Sequence, residues 1–252
     1  MNVGRVYKRI QHALICSRFL ETALMQMLGF RPGQTASQAA NRTGPMSSIR
    51  ERNKELILRA ASEEFAEKGF AASKTSDIAD RAGLPKPNVY YYFKSKENLY
   101  REVLDSIVEP LLQASEPFNQ PGHPADVLRA YIRTKIRISR EHACASKVFA
   151  SEIMHGAPHL PPERAEQLNA QASHNIACIQ HWIEQGLMAD VDPNHLLFSI
   201  WAATQTYADF DWQISTVTGK PKLDDADYEA AADTIIRMVI KGCEVKELAS
   251  VG

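Results

Sequence analysis

The chain of 252 residues predicts an all-helical fold, split into a small front domain and a larger back domain. Three observations carry that expectation. Apolar residues recur at spacings of three and four from Leu56 almost to the C-terminus, the period of helices with one buried face. Alternating apolar and polar runs, the mark of half-buried strands, are nearly absent. Helix start and stop residues punctuate the pattern, among them Gly69, Gly83, Ser95 and the pair Asp192-Pro193.

Residues 1–45 stand outside the pattern and read as an extension, disordered or lying ahead of the true start at Met46. Their last third is rich in Gly, Pro, Ser, Thr, Gln and Asn, a linker composition. Leu56, Ala60, Phe65 and Ala66 then form one stripe of a first helix, which Gly69 should end in a left-handed cap. Lys74 or Thr75 opens a short second helix, Ser76 to Ala82, stopped by Gly83, and a third runs from Lys86 to Tyr92. Ser95 caps a fourth, with Leu99, Val103, Leu104 and Ile107 buried and Pro110 as a kink or an end. Three prolines and Gly122-His123 between Glu116 and Pro124 break the chain before helices at about 125–141, 143–155, 162–186, 193–217 and 225–246. The fourth helix bridges front and back; counted with the back, it gives domains of 1–45, 46–98 and 99–252.

Net charge is balanced, 29 Lys and Arg against 30 Asp and Glu, but its distribution is not. Residues 1–45 hold six basic and one acidic side chain, residues 46–101 eleven and eight, and residues 102–252 twelve and twenty-one. A polyanion is drawn to the front and repelled by the back. Cys16, Cys144, Cys178 and Cys243 lie far apart and form no C-x-x-C pair, so they suggest neither a zinc nor a redox motif and fit reduced thiols in a cytoplasmic protein. No apolar run approaches the roughly 18 residues that span a bilayer, and Ala13 to Phe30 is interrupted by Arg18 and Glu21.

The stretch Thr75 to Phe93 has what a helix-turn-helix needs. Ala79 is small enough for close helix approach, Gly83 supplies the positive backbone angle of the turn, and Ile78, Leu84 and Val89 close the seam. The second helix keeps a free outer face, and such a helix reads major-groove base edges with its N-terminal residues. Lys86, Pro87, Asn88 and Tyr90 are therefore expected at bases: Lys86 on guanine acceptors, Asn88 on adenine, Pro87 on a thymine methyl. Tyr91, Tyr92 and Lys96 are expected at phosphates, because three consecutive tyrosines on a helix cannot all be buried.

This segment closely resembles the N-terminal domain of the TetR family of regulators, through Thr75, Ile78 to Gly83 and the run Tyr90, Tyr92, Phe93, Ser95, Lys96, Leu99 and Tyr100. The resemblance implies about nine helices, three for DNA binding and the rest for ligand binding and dimerisation. It places the family's phosphate-gripping threonine on Thr75, flanked by Lys74 and Ser76 as further DNA contacts, and its helix-four lysine on Lys96. Tyr131 to Leu160 and Asp192 to Phe210 are similar to the pyrimidine-utilisation regulators of that family, over about residues 53–246. That likeness implies a small pyrimidine, such as uracil or thymine, as effector.

Trp201 and Gln205, four apart, share a helix face and set an aromatic plate beside an amide that can pair with the carbonyl and N–H edge of a pyrimidine. Phe149, Glu152, His155 and Trp182 are candidates to complete the pocket, although both tryptophans also fit a plain core and Glu152 and His155 a solvated face. Leu111 stands where those regulators carry a tryptophan, which keeps a puckered dihydropyrimidine open as effector. Leu196, Leu197, Ile200, Ile235, Ile236, Met238 and Val239 are apolar enough for either a dimerising bundle or an internal core, and a homodimer on a palindromic operator is the expectation. A hydrolase using His142, His155 or His159 lacks any accompanying G-x-S-x-G, H-E-x-x-H or phosphate loop. The reading is a bacterial, cytoplasmic, nucleoid-associated regulator with no catalytic site, cofactor, metal or membrane segment; a ligand-free architectural DNA-binding protein is the rival class.

Overall fold

A computed structural model describes residues 45–246. Among the described residues it is all helical, with ten α-helices. The first four are α1 (Pro45–Ala72), α2 (Thr75–Ala82), α3 (Lys86–Phe93) and α4 (Lys96–Ala114). A 3-10 turn (Glu116–Asn119) precedes α5 (Pro124–Glu141), α6 (Ala143–Met154) and α7 (Pro162–Glu184), and then α8 (Pro193–Asp209), α9 (Asp211–Thr218) and α10 (Asp225–Gly242). The chain divides into two compact units, Met1–Arg52 and Asn53–Gly252. Of the first, the described part is the opening of α1; the proposed extension over residues 1–45 lies otherwise outside the described residues.

The front of the second unit is built on large apolar side chains interleaved with alanines. Ile57, Ala60, Ala61 and Phe65 of α1 join Ile78 and Ala79 of α2, Val89 and Phe93 of α3, and Leu99 and Val103 of α4 in one buried cluster. Arg81, in the last turn of α2, donates to Glu67 at 2.7 and 3.1 Å, to Glu64 at 3.2 Å and to Glu63 at 3.4 Å, all on α1. Glu64 is buried, so its charge requires cations, and Lys68 at 2.6 Å is the second. Behind this, α5 packs against α8 and α10, and α4 packs against α6.

Local signals set several helix ends. Gly83 takes the left-handed conformation (φ 66°, ψ 29°) and closes α2 as expected. The Ser95 side chain accepts from the N–H of Asn98, the Asp192 carboxylate accepts from Asn194 and His195, and Asp224 and Asp227 form a reciprocal capping box.

Three ends differ from expectation. Gly69 has positive φ (72°) but ψ of 167°, a region open only to glycine, so it kinks α1 and the helix resumes to Ala72. Of the two outcomes expected at Pro110, an end is excluded: α4 runs on to Ala114 with one rung of its ladder missing. The expected helix 193–217 breaks at Phe210 (φ −115°, ψ 39°) into α8 and α9. The last helix stops at Gly242 rather than 246, since Cys243 and Lys246 exchange backbone hydrogen bonds with Ala189 and Leu187.

Candidate functional site

The outer face of α3 is open. Lys86 and Pro87 are exposed, Asn88 is half-buried, and Tyr90 and Tyr91 are 45% and 60% exposed while Val89 and Phe93 anchor the helix from below. Lys74 is exposed at the N-cap of α2, whose first N–H groups, at Thr75 and Ser76, are the kind of donors that receive a phosphate. Thr75 is buried and its hydroxyl shares a 3.0 Å hydrogen bond with the Tyr90 phenol, which links the start of α2 to the face of α3. Tyr92 is half-buried, its phenol accepting from the Asn53 amide at 3.4 Å. Lys96, also expected at phosphates, is anchored to the end of α1. Its ammonium donates to the carbonyls of Phe70 (2.8 Å), Ser73 (3.1 Å) and Ala71 (3.4 Å) and lies 4.5 Å from the Phe70 ring centre, satisfying the open carbonyls at the end of α1.

Behind this head, α4 to α8 line an open-sided cavity of about 900 Å³, with Ile153, Met154 and Phe210 exposed at its rim. Leu111, Leu112, Phe149, Ile153, Leu168 and Trp201 make its walls mostly apolar. The Trp201 indole N–H donates to the Tyr131 hydroxyl at 2.7 Å, so the indole presents its ring and not a donor. Burial pushes the Tyr131 phenol up to about 12, against the pull of the Trp201 N–H, which keeps it neutral. Gln205 lines the same space and donates to Asp209 at 3.1 Å, leaving its amide oxygen available. Burial raises the Asp209 carboxyl, with Gln205 and then Lys147 opposing.

Of the residues expected around the ligand, the structure brings together Leu111, Phe149, Trp201 and Gln205 on this lining. It does not bring the other three there. Glu152 lies on the buried stripe of α6 with Ala145 and Val148, turned from the cavity-facing arc of Phe149, Ala150, Ile153 and Met154. Its carboxylate accepts from the Tyr100 hydroxyl at 3.0 Å and from the backbone N–H of His159, with the His159 ring at 3.3 Å. The donors that its burial demands thus come from α4 and the loop after α6, not from a ligand. Burial, and then the charge of Glu152, raises the Tyr100 phenol. His155 is exposed and its Nδ1 rests on the Ser151 carbonyl at 2.7 Å at the end of α6. Trp182 stacks on Phe118 (5.7 Å, 22°) beside a separate hollow of about 410 Å³ lined by His174, Cys178 and His181.

Sequence reasoning missed Tyr131 and Lys135, which line the cavity from α5. The signal was present: Leu128, Tyr131, Ile132, Lys135, Ile138 and Ser139 recur at three and four and are all buried. Among the described residues no cluster of His, Cys, Asp and Glu could hold a metal, and no helix is long and apolar enough to cross a membrane. Cys144, Cys178 and Cys243 are free, and burial raises each thiol.

The profile of bacterial regulatory proteins of the tetR family matches residues 57–103, and that of the YcdC-like protein C-terminal region matches residues 104–246. The two meet inside α4. The HTH-type transcriptional regulator RutR of Escherichia coli K12 is 37% identical over 81% of this chain and 96% of its own length. The HTH-type transcriptional repressor NicS of Pseudomonas putida is 26% identical over 58% of this chain and 68% of its own. Among solved structures, the ketosteroid regulator KstR2 of Mycobacterium tuberculosis superposes with a TM-score of 0.63 at 20% identity, covering 77% of this chain and 95% of KstR2. AibR, solved with isovaleryl coenzyme A and operator DNA, gives 0.54 at 19%, covering 74% and 97%. These relatives are named regulators of transcription, not enzymes. From its helix-turn-helix to its cavity-forming body, the chain belongs to the TetR family of bacterial transcriptional regulators, with a YcdC-like C-terminal region.

Proposed function

We propose that this regulator binds a palindromic operator as a homodimer and releases it when a pyrimidine-type ligand, such as uracil, thymine or a dihydropyrimidine, fills the cavity. The regulated functions belong to pyrimidine or nitrogen metabolism, and the protein works without a cofactor in the cytoplasm, at the nucleoid. One observation carries the reading: Trp201 and Gln205 stand side by side on the cavity lining, a flat aromatic wall beside a free amide oxygen. A pyrimidine ring covers the first and donates an N–H to the second. The likeness to RutR supports the same ligand class.

Lys86, Pro87, Asn88 and Tyr90 are assigned to base edges, and Lys74, Thr75, Ser76, Tyr91 and Tyr92 to phosphates. Homodimers are typical of the family. Phe198 on α8 and Met238 on α10 are large apolar side chains left exposed, which suits a second copy on that side. Two reading heads about 34–36 Å apart match successive major grooves.

Helix α4 links the two functions. Its first half packs Leu99 and Val103 into the head and its second half puts Leu111 and Leu112 on the cavity. A ligand that displaces the second half swings the head and spoils the spacing. Moving the protein from mostly bound to mostly released requires about 5 kcal/mol of differential affinity. A regulator of another operon with an unrelated effector is the second reading, favoured by Leu111 on the wall and by a cavity much larger than one pyrimidine ring.

Selection of the operator from random duplexes, followed by a gel-shift titration with uracil, thymine and dihydrouracil, tests the reading. At least one is expected to weaken operator binding tenfold or more; no effect from any of the three or their acidic derivatives would overturn it.

A further inference from the structure

Lys135 is 8% exposed in the middle of α5, on the cavity lining, and no hydrogen bond or ion pair reaches its ammonium among the described residues. Lysines are almost never buried without a partner. The nearby charges are accounted for: Lys147, also on the lining, is paired with Asp211 at 2.8 Å, and Asp209 holds the Gln205 amide while favouring the charged form of Lys135 from beyond ion-pair distance. Burial without a partner pulls the ammonium down to about 8, so it remains mostly charged at neutral pH.

A neutral pyrimidine leaves this ammonium with at most a carbonyl, and it fills only a small part of about 900 Å³. An anionic group does more. It pairs with an ammonium that has no ion-pair partner among the described residues, and charge-assisted hydrogen bonds are about twice as strong as neutral ones; Asp209, which holds the Gln205 amide, is the other charge on the lining without an ion pair.

We infer that the effector is a small carboxylic acid whose carboxylate pairs with Lys135 while its amide or ureido edge meets Gln205 beside Trp201. The inference rests on the pyrimidine reading for the second of those contacts only. A pyrimidine carboxylate, or the ureido acid formed by opening a reduced pyrimidine ring, has both groups. Specificity over neutral uracil then lies in Lys135, a residue no base-like effector needs.

The test is calorimetric titration of the full chain with orotate, 3-ureidopropionate, uracil, dihydrouracil and butyrate, repeated on Lys135→Met and Lys135→Arg. One of the first two acids is expected to bind wild type at least tenfold more tightly than uracil or dihydrouracil, to lose about tenfold or more in Lys135→Met, and to recover in part in Lys135→Arg. Neutral ligands are expected to change less than threefold. Equal or tighter binding of the neutral pair, or acid binding indifferent to Lys135→Met, overturns the inference. Binding of butyrate alone, lost in Lys135→Met, keeps the anion site and overturns the pyrimidine reading instead. No binding by any acid overturns the anion site.

Discussion

Lys135 destabilises the folded protein, because burial strips its charge of most of its water and no ion pair offsets the loss. Its pKa when folded, about 8, lies below the ordinary lysine value near 10.4 in the unfolded chain. The unfolded chain therefore binds more protons between these values, so this residue's penalty is full below about pH 8 and relieved as pH rises toward 10.4. Lys135→Met is expected to raise the unfolding free energy of the ligand-free protein by on the order of 1–3 kcal/mol at pH 7, and by less at pH 9.5. Urea denaturation at the two pH values checks this; a variant less stable than wild type at pH 7 contradicts the unpaired charge. Glu152 is the counter-example at the same scale. It is as buried as Lys135, but Tyr100 and His159 supply its donors, so it belongs to the packing between α4 and α6 and not to ligand recognition.

The helices divide into those fixed locally and those fixed by partners far along the chain. Gly83, Ser95 and Asp192 act through groups within a few residues, so the turn of the helix-turn-helix and the starts of α4 and α8 were legible in the sequence. The kink at Gly69 and the break at Phe210 were not, because spacing does not report ψ or the pairing of Asp211 with Lys147 on α6. For the same reason Trp201 and Gln205 could be placed on one face, whereas Glu152, His155 and Trp182 could be sorted from the lining only once α4 and the 3-10 turn were in place. Lys96 follows the family's pattern in sequence, and the structure adds its three carbonyl partners at the end of α1. On α3, Lys86→Ala and Asn88→Ala are each expected to cost about 1–3 kcal/mol on the selected operator and little on random DNA. Lys74→Ala is expected to weaken both alike and flatten the salt dependence. Fluorescence anisotropy on the two duplexes at several salt concentrations separates these outcomes; equal losses from Asn88→Ala on both would remove it from base reading.

For the whole molecule, the charge gradient along the chain and the fold agree: a basic front carries the open helix α3, and an acidic back lines the open-sided cavity. Family membership extends this to a regulator with a DNA-binding head and a YcdC-like body. What joins the two is α4, whose single run of buried residues from Leu99 to Val108 passes from the head toward the cavity wall at Leu111. Coupling between the sites is a free energy and is measured as one. The most direct measurement is the operator dissociation constant with and without saturating effector, for wild type and for Gln205→Leu, a lining residue on α8. The account predicts a ratio of tenfold or more for wild type, a ratio near one for Gln205→Leu, and equal affinities of the two proteins without effector. A wild-type ratio near one, or an undiminished ratio in Gln205→Leu, would contradict it.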